Sequence, residues 1–500
     1  MGNIMERNHT GIFTLPNGLT AYGNLRICGK NSALYLYSDT DRFSLTRDHL
    51  LITGNLFDGQ QVTLIDCIMI ERSSLCGPTK LYTARVFPHH VLIGDIKIQI
   101  DTPCIESINF SLQNMDAIFY EFDAFGTVRN TEPFKELLVE DMADMRKIEI
   151  GDCPIISYFC GERKILCVET KIGKIDVRHW PTNTIGCPVG VKISNRIVTT
   201  IDFDEPQTFE SALQKYQVVR RFYELIIGRE QPLTFFNAEI NRKLNSVNIV
   251  DIYQSFDFDF RVWEEESKGS TIGPRDVLLC SWADSEQLAR VMKNYIASDE
   301  DRRHSRVRFH DSLDFDQNYT VDRTIRAANL FDIFPDSAYP ERQELRKDLE
   351  AAKEKARILF KDLPKDLERD QFLSAIGRIG SLSLKHKTRY RLSAAGLGKL
   401  FPDLQKVLEE AVGCRNYFVH GSKTKVDFIK NFNIVCFFTA SLEFVFAVSD
   451  LVDQGWDVEK WKSNSPGADH PFGAFCINYD SEVRKFKKLL LRLSANNLVR

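Results

Sequence analysis

Between Gly11 and about Ile201 apolar residues come in short alternating runs, broken by Gly, Asn and Pro. Alternation places side chains on opposite faces of an extended chain. It predicts strands at 11–15, 19–28, 33–37, 50–56, 61–70, 81–87, 91–100, 155–159, 164–170 and 191–201. Asn17-Gly18 and Asp58-Gly59 are the best hairpin turns, because both dipeptides accept positive φ. Many short strands with regular turns predict a sandwich or barrel-like domain. The period changes at Pro206. Leu213, Tyr216, Val219, Phe222, Leu225 and Ile226 recur at helical spacing, and Gly228 is placed to end that helix. Alternation returns over 231–262, with strands at 233–236 and 247–253, and a helical segment follows at 285–296. The charged run from Ser298 to His304 reads as a turn, and the main boundary falls at 300–315. Beyond it the pattern predicts helices at 319–333, 340–361, 365–379, 402–412, 415–422 running into 426–452, and 480–496. Pro335, Pro364 and Pro402 stand at or near their ends. The fold class is therefore α+β and multidomain, a β-rich amino-terminal region followed by an all-α bundle. The domains read as 1–230, a mixed connection at 231–314, and 315–500.

The most apolar stretch, 434–448, holds about 15 apolar-dominated residues around Glu443, short of the ~20 that span a bilayer. It predicts a buried helix and no membrane association. Phe437, Phe438, Leu442, Phe444, Val445 and Phe446 crowd several of its faces, more than one inward stripe requires. Part of that surface is thus expected to meet a second copy of the chain.

Composition narrows the functional classes. Hydrophobic content of 43% and charged content of 27% are those of a soluble globular protein. A net charge of −4 gives no global pull on nucleic acid, so any RNA contact needs a local basic patch. The twelve cysteines include no Cys-x-x-Cys pair, which fits a reduced cytoplasm. Cys153, Cys160 and Cys167 are seven apart and would alternate faces on a strand, against a shared metal. Residues 1–6 lack an apolar signal core, and Glu6 stands where a myristoylation motif wants Ser or Thr. His89-His90 would point to opposite faces, and Asp202, Asp204 and Glu205 read as a solvated turn. No Gly-rich phosphate loop or metal-ligand spacing occurs, so no metal or other cofactor is expected.

The chemistry concentrates in Gly413-Cys414-Arg415-Asn416-Tyr417-Phe418-Val419-His420-Gly421. On a helix Asn416 and His420 share a face, while Arg415 lies about 140° from His420. A kink near Gly413 would bring it closer. Arginine holds a phosphate through paired hydrogen bonds, and histidine exchanges protons near neutral pH. The Asn amide can orient the imidazole or donate to a phosphate oxygen. Taken by spacing alone, the same residues also suit an ordinary bundle surface with Asn as a cap. Lys385, Lys387, Arg389 and Arg391 with Tyr390 form the densest basic stretch. It reads either as an RNA contact, with Tyr390 stacking on a base, or as a solvated interhelical loop.

Arg415, Asn416 and His420 occupy the signature positions R-N-x-x-x-H, and the chain resembles the HEPN ribonucleases, the ApeA type most of all. Arg378-Ile379-Gly380-Ser381-Leu382-Ser383-Leu384 upstream and the apolar helix downstream are similar too, over roughly 315–500. Gly11-Ile12-Phe13-Thr14-Leu15-Pro16 resembles the start of the ApeA amino-terminal domain. The resemblance implies a HEPN bundle at 315–500 that cuts RNA without metal, transfer RNA being one such target. Arg415, Asn416 and His420 would be catalytic, and Asn329 or Asp332 on the first bundle helix would support them. It also implies a homodimer and an anti-phage role in abortive infection, with activity restrained by the amino-terminal region until a phage-derived trigger binds. The alternative is a non-catalytic RNA- or protein-binding module that dimerises through its bundle.

Overall fold

A computed structural model describes residues 7–39, 43, 50–75, 80–144, 147–184, 190–243, 246–256, 272–313, 318–340, 346–380, 382–423 and 426–498. The expectations placed on residues 1–6 and on Ser381 lie outside the described residues. The chain forms two compact units, 1–227 with 231–296, and 297–500 with 228–230.

In the first unit, β1 (Arg7–Thr14), β2 (Thr20–Ile27), β3 (Ala33–Ser38), β4 (Leu50–Leu56), β5 (Gln61–Leu75) and β6 (Leu81–Phe87) run antiparallel in the order β5-β4-β1-β2-β3-β6. β6 pairs back onto β5 and closes a six-stranded barrel. Closure depends on the length of β5. Its first half pairs with β4, and its second half, from Ile68 on and across a bulge between Met69 and Glu71, pairs with β6. A bulge bends its strand and increases the local twist, which is what closing a sheet requires. Phe13, Leu25, Leu34, Leu36, Ile52, Leu64 and Val86 are the buried members of the alternating runs. Gly18 and Gly59 take φ of 82° and 94° in the two predicted hairpin turns.

The sheet continues from β5 through β7 (His90–Gly94) and on through strands later in sequence. These are β8 (Ile105–Leu112), β11 (Lys164–Thr170), β12 (Gly173–Asn183), β13 (Ile193–Gln207), β14 (Leu233–Lys243) and β15 (Ser246–Gln254), in the order β7-β15-β14-β8-β13-β12-β11. β9 (Phe125–Thr127) and β10 (Ser157–Phe159) pair separately. Segment 231–296 supplies β14, β15 and a helix to this unit. Asn109 of β8 is buried yet satisfied, since it donates to Asn237 at 3.0 Å and accepts from Thr200 at 2.6 Å. The described residues of this unit also form helices α1 (Met115–Ile118), α2 (Glu132–Met142), α3 (Phe209–Ile227) and α4 (Ser281–Ala297). The apolar stripe of α3 lies on the sheet, where Tyr216 stacks on Phe236 at 4.7 Å and Tyr223 hydrogen-bonds Thr199 at 3.0 Å.

The second unit contains no strand among its described residues. Its helices are α5 (Asp299–Leu313), α6 (Val321–Ile333), α7 (Lys347–Lys361), α8 (Leu367–Arg378), α9 (Leu384–Ala394), α10 (Leu397–Leu400), α11 (Leu404–His420), α12 (Phe432–Asp453), α13 (Val458–Ser463) and α14 (Pro471–Leu498). α12 is the hub, packed by α6, α9, α11 and α14.

Four expectations are corrected here. The charged run after Ser298 is helix α5, held by ion pairs rather than by an apolar stripe. Arg306 gives hydrogen bonds of 2.8 and 3.1 Å to Asp450, and Arg302 one of 2.6 Å. The basic stretch 385–391 is likewise helical, capped by Ser383, whose hydroxyl accepts from the His386 backbone. α12 is 22 residues long, enough to cross a membrane, so burial and not length decides its place: 89% of its most apolar window is covered. That cover comes from the chain itself. Phe437, Phe438, Leu442, Phe444, Val445 and Phe446 are all buried in the single copy, which removes the case for a second copy built on surplus apolar surface.

Candidate functional site

α11 runs unbroken from Leu404 to His420, with no kink at Gly413. Leu404, Val407, Leu408, Ala411, Val412 and Cys414 are its buried residues, and they turn its final turn toward the rim. Gly421 ends the helix at φ 64°, a conformation that costs other residues a clash, and its N–H bonds the carbonyls of Asn416 and Tyr417. Phe428, from the connection after the helix, is buried against Tyr417 and Phe418 at ring distances of 5.6 and 6.1 Å. This packing fixes the end of α11, and nothing in the periodicity of residues 421–431 pointed to it.

Arg415, Asn416 and His420 meet at that end. The 140° separation is bridged by the length of the arginine side chain: Arg415 Nη1 lies 3.0 Å from His420 Nε2 and 3.1 Å from Asn416 Oδ1. On the far edge of the guanidinium, Nε and Nη2 both donate to Asn329 Oδ1 of α6, at 3.2 and 3.0 Å. Because Arg415 donates, Nε2 of His420 is the acceptor, and the imidazole stands in the form that takes a proton. Asn416 thus orients the arginine rather than the imidazole. Arg415 and Asn416 are half-buried and His420 is exposed, a clamped cation beside an accessible base. Burial pushes the neighbouring Cys414 thiol up to about 12, which makes it a packing residue and not a nucleophile.

The other predicted residues separate. Asp332, one turn beyond Asn329, is exposed and pairs with Lys387 at 3.2 Å. Arg389 pairs with Glu409 of α11 at 2.7 Å. Hydrogen bonds from Gln405 and Arg389 hold Glu409 below its ordinary carboxylate range. Lys385 is exposed, and Tyr390 lies against Tyr339 at 6.1 Å. Arg391 is only 2% exposed and is spent on Asp453, the Ser449 hydroxyl and carbonyl, and the Ala338 carbonyl, so it is a core residue rather than an RNA contact. Among the described residues no group of three His, Cys, Asp or Glu side chains could hold a metal. His90 packs on Phe209 at 5.4 Å, whereas His89 binds the Asp66 carbonyl. Asp202, Asp204 and Glu205 lie within β13, not in a turn.

Asn329 has one evident task, holding the guanidinium from behind. Asn329→Ala should therefore leave the bundle folded but cut any activity that depends on Arg415 on the order of 100-fold, the scale of an ångström's misplacement. Single-turnover rates beside a thermal melt check this. Wild-type turnover in the variant would remove Asn329 from the site.

Residues 8–295 match the family model described as ApeA N-terminal domain 1, and residues 325–460 the model described as Apea-like HEPN. No curated protein and no solved structure matches the chain.

Proposed function

The chain belongs to the ApeA-type HEPN family of anti-phage defence proteins, and on that premise we propose that it is an endoribonuclease that cuts RNA without a metal. The observation that supports this reading is the set Asn329–Arg415–Asn416–His420: one guanidinium, clamped along one edge, touching an exposed imidazole. In the reaction the ribose 2′-oxygen bonds to the adjacent phosphorus and the bond from phosphorus to the 5′-oxygen breaks. The 2′-hydroxyl proton passes to His420 Nε2 once the phosphate draws Arg415 Nη1 away. Arg415 then stabilises charge growing on the non-bridging oxygens. His420 then gives the proton it has gained to the leaving 5′-oxygen, so the imidazole returns to its starting form, and in the proposed homodimer two such sites face one RNA-binding cleft. Transfer RNA is the substrate in this reading, and the setting is the cytoplasm. The amino-terminal unit restrains cleavage until a phage-derived trigger binds, since an unrestrained nuclease would poison its host.

End-group chemistry tests the proposal. Cleavage should persist in excess EDTA and leave 2′,3′-cyclic phosphate and 5′-hydroxyl ends, read by end-specific ligation and RNA 5′-end sequencing with and without infection. Activity lost in chelator and restored by a divalent ion would point to metal-assisted hydrolysis instead.

A further inference from the structure

Outward positions of a barrel strand are ordinarily polar, because the alternate positions fill the interior. On β1, β2 and β3 the outward positions Ile12, Tyr22 and Tyr37 are direct cross-strand neighbours. They are 40%, 65% and 43% exposed, while Phe13, Ala21 and Leu36 beside them are buried. In the adjoining outward row Asn24, Tyr35 and Arg85 are neighbours across β2, β3 and β6. The Arg85 guanidinium lies over the Tyr35 ring at 5.8 Å, and its buried Nε has no hydrogen-bond partner among the described residues. Arg26 continues the same face of β2, and Glu71 of β5 stands opposite Arg85 in register. Strands lie about 4.8 Å apart and alternate residues about 6.7 Å apart, so the three tyrosines form one compact patch.

We propose that this outer face of the barrel is a docking platform for single-stranded RNA. Every base has a flat π-face, so exposed tyrosines can stack successive bases without regard to sequence, while Arg85 neutralises the backbone beside them. The alternation of ring, amide and guanidinium favours a nucleotide chain over a protein, whose docking patch would be centred on fully apolar side chains with charge at its rim. The choice of RNA over DNA rests on the nuclease reading; the affinity of the face for a single strand does not.

The experiment measures fluorescence anisotropy of 5′-labelled oligouridine, twelve nucleotides long, with the full chain carrying His420→Ala so that the probe survives. Tyr22→Ser with Tyr37→Ser should weaken binding about tenfold or more, the scale of losing base–aromatic stacking. Phe at both positions keeps the rings and should retain affinity. Arg85→Gln should lower the slope of log affinity against log salt by about one. Oligouridine binding that is absent, or unchanged in a serine variant with the wild-type circular dichroism spectrum, overturns the platform. So does a serine variant that binds oligouridine normally but loses protection against phage, because the face would then dock a protein. A wild-type chain that cuts no RNA, yet loses oligouridine affinity on the serine substitutions, would sink the nuclease reading and leave this surface standing.

Discussion

Replacing Arg415 or His420 with alanine should abolish RNA cleavage and phage protection while the bundle stays folded. Proton transfer by a positioned histidine is worth about 10²–10⁴ in rate, and stabilisation of developing oxyanion charge about 10²–10³. The two losses come from one transition state, so each variant alone should approach background. Stability should change by less than ~1 kcal/mol, as for surface positions, because His420 is exposed and the hydrogen bonds described for Arg415 run to side chains of the site itself. Thermal melts and a fixed-time cleavage assay separate the outcomes. Wild-type cleavage in either variant would falsify the mechanism. A mixture of the two variants tests assembly. Because Arg415 and His420 meet within one chain, the mixed dimer should stay near background, and partial recovery would mean that each reaction centre draws the two groups from opposite subunits. Full wild-type activity from a chain that sediments only as monomer would overturn the shared cleft.

Asp450→Ala should destabilise the helical unit by about 3–5 kcal/mol, the cost of leaving buried charge without its partner. Asp450 is buried on α12 and accepts from both Arg302 and Arg306 of α5, and Arg306 is itself buried. Burial pushes its carboxyl up, but the two guanidiniums outweigh that and hold it at about 2. The sign follows. A carboxylate whose pKa is lower when folded stabilises the fold above the ordinary carboxylate range, and that stabilisation is withdrawn as pH falls toward about 2. The wild type should therefore lose stability through that acid window, and the variant should lose less, because its penalty is already present at neutral pH. Asp332→Ala is the contrast. Its pair with Lys387 is exposed, so the effect should stay within ~1 kcal/mol. Chemical denaturation at pH 7 and pH 3 reads both differences. Equal stability of Asp450→Ala and the wild type would mean that the ion pairs do not hold α5.

Periodicity alone specified the β-rich region, both Gly-centred hairpin turns, helix α3 and the apolar helix α12. It worked there because each element buries one face and its side chains repeat at 2 or 3.6 residues. α5 escaped it because few apolar residues mark its inward face; Arg302 and Arg306 meet carboxylates about 150 residues away, and no local pattern carries that information. Arg391 was misread for the same reason: a buried guanidinium and a solvated one look alike until Asp453 and Ser449 are brought beside it.

The signature Arg415-Asn416-His420 was legible as chemistry because residue types and spacing lie within six consecutive positions. That the arginine reaches the imidazole without a helix kink, and is gripped from behind by Asn329, was decided only by the packing of α6 against α11. Closure of the barrel was decided in the same way. Alternation says which face of each strand is buried, but not which strand β6 will find. That choice belongs to the length of β5 and its bulge, because register and bend, unlike burial, are properties of two strands together.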